Sequence, residues 1–167
     1  MVARVLAAVR PRPVLVVGRP DDVPDGIPVS MEDPPGGGPV AAIAAGVGEL
    51  PDEADVVIVL AADLPFVTSA HLDRLVGAAL DQPPGSGPAV TTDAAGHLNW
   101  LCSAWRRPVL DAAIAHLGDP AGRSMRDLAA GLRPVEVSDT DRVADDVDTP
   151  DDLEVARRRV GDEVAPA

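Results

Sequence analysis

The stretch VIVLAADLPF, from Val57 to Phe66, is uncharged until Asp63 and turns at Pro65. A continuous apolar run of this kind is typical of a central strand of a parallel sheet, buried on both faces. Ligands of open α/β sheets bind outside the carboxyl ends of the strands, so Asp63 is predicted to face a ligand. A carboxylate at that place suits Mg²⁺ that carries substrate phosphates. A solvated turn residue is the alternative, and position alone favours neither.

Outside this stretch, short apolar runs alternate with Ala- and Leu-rich helical segments. The alternation predicts an α/β fold, a three-layer α/β/α domain with a mostly parallel sheet. One domain is expected over residues 1–160, with a frayed tail at 161–167. Strands are predicted at residues 14–17, 27–31, 56–61, 89–92, 97–105 and 133–139, and helices at 1–9, 40–50, from Thr68 or Ser69 onward, 106–117, 123–132 and from Thr149 onward.

Charge and composition exclude several classes of partner. The chain has 167 residues, with 14 basic and 27 acidic side chains and a formal net charge of −13. Such a field repels nucleic acids and anionic membranes, so neither is predicted to bind. All basic residues are arginine. The single cysteine, Cys102, excludes an internal disulfide, and with no membrane span or signal peptide in view a cytoplasmic protein is predicted.

A second candidate site lies in DPPGGGPVAAIAAG, from Asp33 to Gly46. Consecutive glycines let backbone N–H groups approach a ligand at the start of the following helix, where the helix dipole favours anions. The string is neither a Walker loop nor a dinucleotide fingerprint, and a purely structural turn is the alternative.

The other chemically reactive or bulky side chains are predicted to be structural. The histidines have no acid or cysteine at metal-ligand spacing, so they are expected to be exposed or hydrogen-bonded bystanders. Both tryptophans are expected in the core, and Cys102 is expected to be a small buried apolar residue. The histidines are His71, His97 and His116, and the tryptophans are Trp100 and Trp105.

Three strings, DPPGGGPVAAI, AADLPF and DVDTPDDL, follow one another in the order and spacing of a known family. With them the chain resembles the MobA-like molybdenum cofactor guanylyltransferases, over nearly its whole length. HLNWLCSAWRR and GRSMRDLAAGL, which lie between them, are similar to family segments as well. The resemblance implies a nucleotide-diphospho-sugar-transferase (Rossmann-like) fold and transfer of GMP from GTP to a molybdopterin-bound molybdenum cofactor, with release of pyrophosphate.

Two other functions stay open beside this one. A cytidylyl-transferring relative would share the same motifs with another base and acceptor. A catalytically inactive, truncated domain would instead act through a protein partner, such as another molybdenum-cofactor protein.

The resemblance also implies roles for individual residues. Asp63 matches the acid that holds Mg²⁺ on the triphosphate, and Asp33 matches an acid of the nucleotide pocket, whose wall includes Gly38 and Pro39. Asp148 matches a late Asn or Asp that helps to hold the metal. Its structural alternative is a favourable interaction with the dipole of the next helix.

The resemblance implies two further site residues, one near the nucleotide base and one near the acceptor. Arg19 follows the first strand, close to where the family often keeps an asparagine for the base, although Gly18 takes that place here. Asn99 lies in a segment similar to the one that lines the acceptor side, where it could meet a pterin-like substrate.

The family opens with a strand and a glycine-rich loop that carries a lysine, and no such string occurs in these residues. In the family fold that strand is central, so the strands at 14–17 and 56–61 are expected to flank an empty position. Each unpaired buried backbone group costs about 1–3 kcal/mol. We therefore expect either that the chain starts upstream of Met1 or that rearrangement or a partner strand closes the gap.

Overall fold

A computed structural model describes residues 2–140 of the chain. Asp148, the helix predicted from Thr149 and the predicted tail lie outside the described residues. The domain boundary predicted at residue 160 also stays a prediction.

Every helix and strand predicted within residues 2–140 is found, and the α/β class is confirmed. The first two strands are shorter than predicted, and a 3₁₀ turn at Pro20–Asp22 was not predicted. The elements are α1 Val2–Val9, β1 Val16–Val17, β2 Val29–Ser30, α2 Pro39–Glu49, β3 Val56–Leu60, α3 Ser69–Leu80, β4 Ala89–Thr92, β5 Leu98–Arg106, α4 Arg107–Leu117, α5 Met125–Leu128 and β6 Val135–Ser138.

Local sequence explains where the helices begin. The Thr68 hydroxyl accepts a hydrogen bond from the His71 backbone N–H at 3.2 Å, which caps α3 as predicted. Ser124 and Asp127 form a reciprocal capping box at the start of α5. Pro39 and Pro108 occupy the first turns of α2 and α4, where a proline costs no hydrogen bond.

The described strands form two sheets: β1 with β2, and a four-stranded sheet in the order β3-β5-β4-β6. The first pair and the β4–β6 pair are parallel, whereas β5 runs antiparallel to both β3 and β4. This is more mixed than the mostly parallel sheet predicted from sequence. Only residues 93–97 connect β4 to β5, and a connection that short permits a hairpin but not a parallel crossover.

Helices cover both faces of the four-stranded sheet and bury two apolar clusters, which confirms the three layers. On one face, α1 and α3 contribute Val5, Leu72 and Leu75. On the other, α2, α4 and α5 pack against Trp105, which is completely buried. Within residues 2–140, no helix is both long and apolar enough to cross a bilayer.

Strands β1 and β3 belong to different sheets in the described part of the chain, as the sequence predicted. Helix α2 packs on both of them. Its Gly46 lies so close to β1 that a Cβ there would sit 2.9 Å from Cγ2 of Val17, and its Val40 packs with Val57 and Val59 of β3. Side-chain packing through α2, rather than a backbone ladder between β1 and β3, therefore connects the small sheet to the large one.

Candidate functional site

One edge of the large sheet, here called the C-edge, collects the predicted site segments. Strands β3 and β4 both run antiparallel to β5, so their carboxyl ends lie together at this edge. Helix α2 packs against β3 and is joined to its start by residues 50–55, so the beginning of α2 lies near the end of β3. Asp63, the glycine turn before α2 and the start of β5 are therefore placed at the same edge of the sheet by the topology.

Asp63 lies three residues after the end of β3 and is partly buried. The adjacent Leu64 and Pro65 are buried and anchor the turn, and the Ala61 N–H donates to the Leu101 carbonyl of β5 at 2.8 Å. Among residues 2–140, the Asp63 carboxylate has no hydrogen-bond or ion-pair partner. The backbone around this acid is fixed while its carboxylate stays open for a ligand.

The chemistry of this acid fits a divalent cation held together with substrate phosphates. Mg²⁺ is bound through one or two carboxylates, with phosphate oxygens and water as the remaining ligands. In the described part of the chain no three His, Cys, Asp or Glu side chains cluster as a metal site. Asp63 therefore fits a cation that arrives with a nucleotide, and its predicted companion Asp148 lies outside the described residues.

The glycine turn exposes its backbone at the start of α2. Gly36 and Gly38 have positive φ angles of 83° and 90°, which other residues rarely adopt. Gly38 is the N-cap without a side-chain cap, and no atom lies within 4 Å of where its Cβ would be. Pro39 is the first residue of α2. The turn thus presents an open helix N-terminus, an arrangement that favours anions.

Two acids border this turn, and only one of them was predicted. Asp33 is exposed and makes no hydrogen bond or ion pair within residues 2–140. Glu32, which the sequence did not single out, accepts a hydrogen bond from the Gly36 N–H at 3.0 Å. Glu32 therefore shapes the turn, and Asp33 is the acid left open to a ligand.

The loop between α4 and α5 contacts the glycine turn through a hydrogen bond that the sequence did not predict. The Gly122 N–H donates to the Gly37 carbonyl at 2.8 Å. A Cβ on Gly37 would lie 2.7 Å from the Cβ of Ala41, so no larger residue fits without a shift. The middle glycine is thus required by packing, whereas its two neighbours are required by their φ angles.

Arg19 lies at the end of β1, in the small sheet. The Gly18 N–H before it donates to the Ser30 carbonyl at 2.9 Å, which continues the pairing with β2. The Arg19 side chain is exposed and lies 3.9 Å from the Asp21 carboxylate, also exposed. A surface ion pair this long contributes little to stability, so Arg19 stays free to turn toward an anion.

Asn99 lies at the C-edge but has a structural task of its own. Its carboxamide oxygen accepts a hydrogen bond from the Leu101 backbone N–H at 3.1 Å. Asn99 pairs with Thr91 of β4, whereas the preceding pair joins Val90 to Ser103. The three residues 100–102 of β5 therefore have no partner on β4 and form a bulge, here called the β5 bulge, whose Leu101 carbonyl bonds to Ala61.

Side chains replace the backbone partners that the β5 bulge loses. The Thr91 hydroxyl donates to the Cys102 carbonyl at 2.8 Å, and the Ser103 hydroxyl donates to the Trp100 carbonyl at 2.7 Å. The indole N–H of Trp105 donates to that Ser103 oxygen at 2.9 Å. No buried side-chain nitrogen or oxygen in the described residues is left without a partner.

His71 lies on α3 and is fully buried, and of the two predicted alternatives, exposed or hydrogen-bonded, it is the hydrogen-bonded one. Its Nε2 lies 2.8 Å from the Thr91 hydroxyl and its Nδ1 lies 2.8 Å from an Arg74 nitrogen. Arginine only donates and the Thr91 proton is used on Cys102, so Nδ1 accepts and Nε2 carries the proton. By contrast, His97 is exposed and pairs with Asp93, where its hydrogen bonds lower the Asp93 pKa.

Cys102 lies inside the β5 bulge, and burial raises the pKa of its thiol to about 11. The thiol is thus protonated and unreactive at neutral pH. In the folded protein we expect iodoacetamide at pH 8 to modify it only as fast as the chain opens. Because the folded pKa exceeds the ordinary 9.0, burial adds stability that is complete below pH 9 and lost as pH rises toward 11.

The expected slow alkylation of Cys102 is tested by following modification of this single thiol by intact mass, with and without urea. Rapid modification of the folded protein, at the rate seen in urea, would contradict it.

The three-layer fold, the open helix N-terminus and the acid at the end of β3 together define a nucleotidyltransferase-type α/β domain. The family model of the MobA-like NTP transferase domain matches residues 1–136, and the chain belongs to that family. No curated protein sequence matches the chain.

Two solved structures with this fold share little sequence with the chain. The 2-C-methyl-D-erythritol 4-phosphate cytidylyltransferase from Thermus thermophilus is 20% identical, with a TM-score of 0.70 over 95% of this chain and 87% of that one. The molybdopterin-guanine dinucleotide biosynthesis protein A from Archaeoglobus fulgidus is 17% identical, with a TM-score of 0.72 over 96% and 85%. Both confirm the fold.

Proposed function

We propose that the protein transfers GMP from GTP to a molybdopterin-type acceptor that carries molybdenum, with release of pyrophosphate, in a Mg²⁺-dependent reaction in the cytoplasm. The observation that carries the proposal is the Asp63 carboxylate, which lacks a partner within residues 2–140 although its backbone is fixed at the C-edge. The order of the glycine turn, the apolar strand and this acid supports it, as does the family.

In the proposed reaction, an acceptor phosphate oxygen attacks the α-phosphorus of GTP. The bond from that phosphorus to the pyrophosphate oxygen breaks, and no covalent intermediate with the protein is required. The bound cation would neutralise charge on the phosphates. Asp63 would hold the cation together with Asp148, and the open N-terminus of α2 at Gly38 and Pro39 would favour the anionic nucleotide.

The remaining predicted residues would act on the two substrates. Asp33 borders the glycine turn and is placed to accept hydrogen bonds from the nucleotide. Arg19 is the exposed cation at the end of β1. Asn99, at the start of β5, lies on the side of the cleft where the acceptor would bind.

A non-catalytic domain is the second candidate, and a specific observation favours it. Strands β1 and β3 are unpaired with each other in the described residues, and the chain contains no lysine to contact a triphosphate. Such a domain would act by binding a partner, for example another protein of molybdenum cofactor synthesis.

Calorimetric titration of the full chain with GTP and with CTP, in Mg²⁺ or in EDTA, tests these functions. We expect binding of GTP that needs Mg²⁺ and is at least about tenfold tighter than that of CTP, because a site built to hydrogen-bond one base rejects the other. Tighter binding of CTP would favour the cytidylyl-transferring alternative. Absence of binding to either nucleotide would favour the non-catalytic domain.

A further inference from the structure

His71 and Thr91 lie in the core and are linked to the C-edge through the backbone of the β5 bulge. We propose that they are positioning residues that fix the loop carrying Asp63, and this inference rests on the proposed function of Asp63. The loop, here called the Asp63 loop, comprises residues 61–68 between β3 and α3.

Two consecutive carbonyl groups of the bulge hold the two ends of this loop. At its start, the Ala61 N–H donates to the Leu101 carbonyl at 2.8 Å. At its end, the first turn of α3 is tied through the His71 imidazole and the Thr91 hydroxyl to the Cys102 carbonyl, each step 2.8 Å long. Any shift of one carbonyl relative to the other would therefore move Asp63.

The register of β4 and β5 shows why Thr91 has this task. If the pairing of Ala89 with Ala104 and of Val90 with Ser103 continued, Thr91 would pair with Cys102. Instead, Thr91 pairs with Asn99, and its hydroxyl takes the place of the missing backbone donor on the Cys102 carbonyl. The hydroxyl thereby keeps the bulge attached to the sheet.

His71 fixes the direction of this hydroxyl. Its Nε2 carries a proton that points to the Thr91 oxygen, so the hydroxyl hydrogen is left to point at Cys102. Arg74 occupies Nδ1 and so holds the required tautomer. A histidine on an apolar helix face is thus used to orient a threonine on a neighbouring strand.

The test compares three single substitutions in the full chain. Thr91→Val removes the hydroxyl at nearly constant volume, and Thr91→Ser keeps it. Thr92→Val is the matched control, because Thr92 is also buried on β4 but its hydroxyl makes only a long 3.5 Å bond to the Val90 carbonyl. Hydrogen–deuterium exchange is measured over the Asp63 loop, with α4 as the reference for global stability.

For Thr91→Val we expect exchange in the Asp63 loop at least about tenfold faster than in the wild type, beyond any change in α4, because the bulge then has a carbonyl without its donor. Affinity for GTP in Mg²⁺ should fall by about tenfold. Thr91→Ser should restore both values, and Thr92→Val should leave both near those of the wild type.

The outcomes separate this inference from the proposed function. Unchanged exchange in the Asp63 loop of Thr91→Val would overturn the inference. Faster exchange with unaltered affinity for GTP in Mg²⁺ would show that Thr91 fixes the loop, but it would overturn the role of Thr91 in positioning Asp63 for the nucleotide. A wild type that binds no nucleotide would overturn the proposed function, while faster exchange in Thr91→Val would still support the fixing of the loop.

Discussion

Asp63→Asn is expected to lower the rate of Mg²⁺-dependent nucleotidyl transfer by at least about 100-fold, the loss typical when one electrostatic contact to the reacting phosphates is removed. The substitution keeps the shape of the side chain and removes only its charge. Because the Asp63 carboxylate has no partner in residues 2–140, its loss should leave folding intact. Release of pyrophosphate measures the rate, and titration with GTP in Mg²⁺ measures binding.

Asp81→Asn is the matched control for this experiment. It removes the same charge from an exposed residue at the end of α3, which lies at the opposite edge of the sheet from the C-edge. We expect it to leave both the rate and the binding within about twofold of the wild type, since exposed charges distant from a site are screened by salt. Equal effects of the two substitutions would remove Asp63 from the metal site.

Trp105→Ala is expected to cost about 3–5 kcal/mol in the free energy of unfolding, a large share of the roughly 5–15 kcal/mol typical of a domain. Trp105 has no exposed surface and lies in the same cluster as Leu110 and Leu128. Its removal would leave a cavity and also take the indole N–H away from Ser103, which supports the β5 bulge. Urea unfolding followed by circular dichroism measures the loss.

The control for this substitution is Trp100→Ala, on the same strand. Trp100 is only partly buried, so less apolar surface returns to water when it is truncated. We expect its cost to be clearly smaller than that of Trp105→Ala. Equal costs would mean that the burial of Trp105 does not account for its contribution.

The sequence predicted the position of Asp63 because two local features coincide there. A strand with no charge is recognisable from its residues alone, and the acid and proline that follow mark its end. The glycine turn was predictable for the same reason, since consecutive glycines before a helix of small residues leave few alternatives. The roles proposed for these residues come from the family, because the local sequence pattern does not indicate them.

The antiparallel direction of β5 was missed although the sequence carried an indication of it. The segment between β4 and β5 is too short for a crossover, and this length would have predicted a hairpin. The β5 bulge could not be predicted in this way, because it depends on how β5 pairs with β3 on one side and with β4 on the other. No short window of sequence shows that Asn99, rather than Cys102, pairs with Thr91.

The contacts of His71 could not be predicted from the sequence for another reason. It is 20 positions from Thr91 in the chain, and their contact exists only because α3 packs over β4. From sequence, a histidine without nearby acids indicated a bystander. The role proposed for it rests on its burial and its hydrogen-bond partners, which the sequence does not show.

The separation of the two sheets also bears on how the protein behaves in solution. Strand β3, with the sequence VVIVL, is an edge strand of its sheet in the described residues and carries no charge. An unpaired apolar edge is a template for aggregation by strand addition between molecules. At pH 7 the formal net charge of −13 opposes such contacts by mutual repulsion, but near the isoelectric point of about 4.4 that the sequence gives, this repulsion disappears. Mildly acidic buffers should therefore precipitate the protein, and alkaline, low-salt buffers should keep it dispersed.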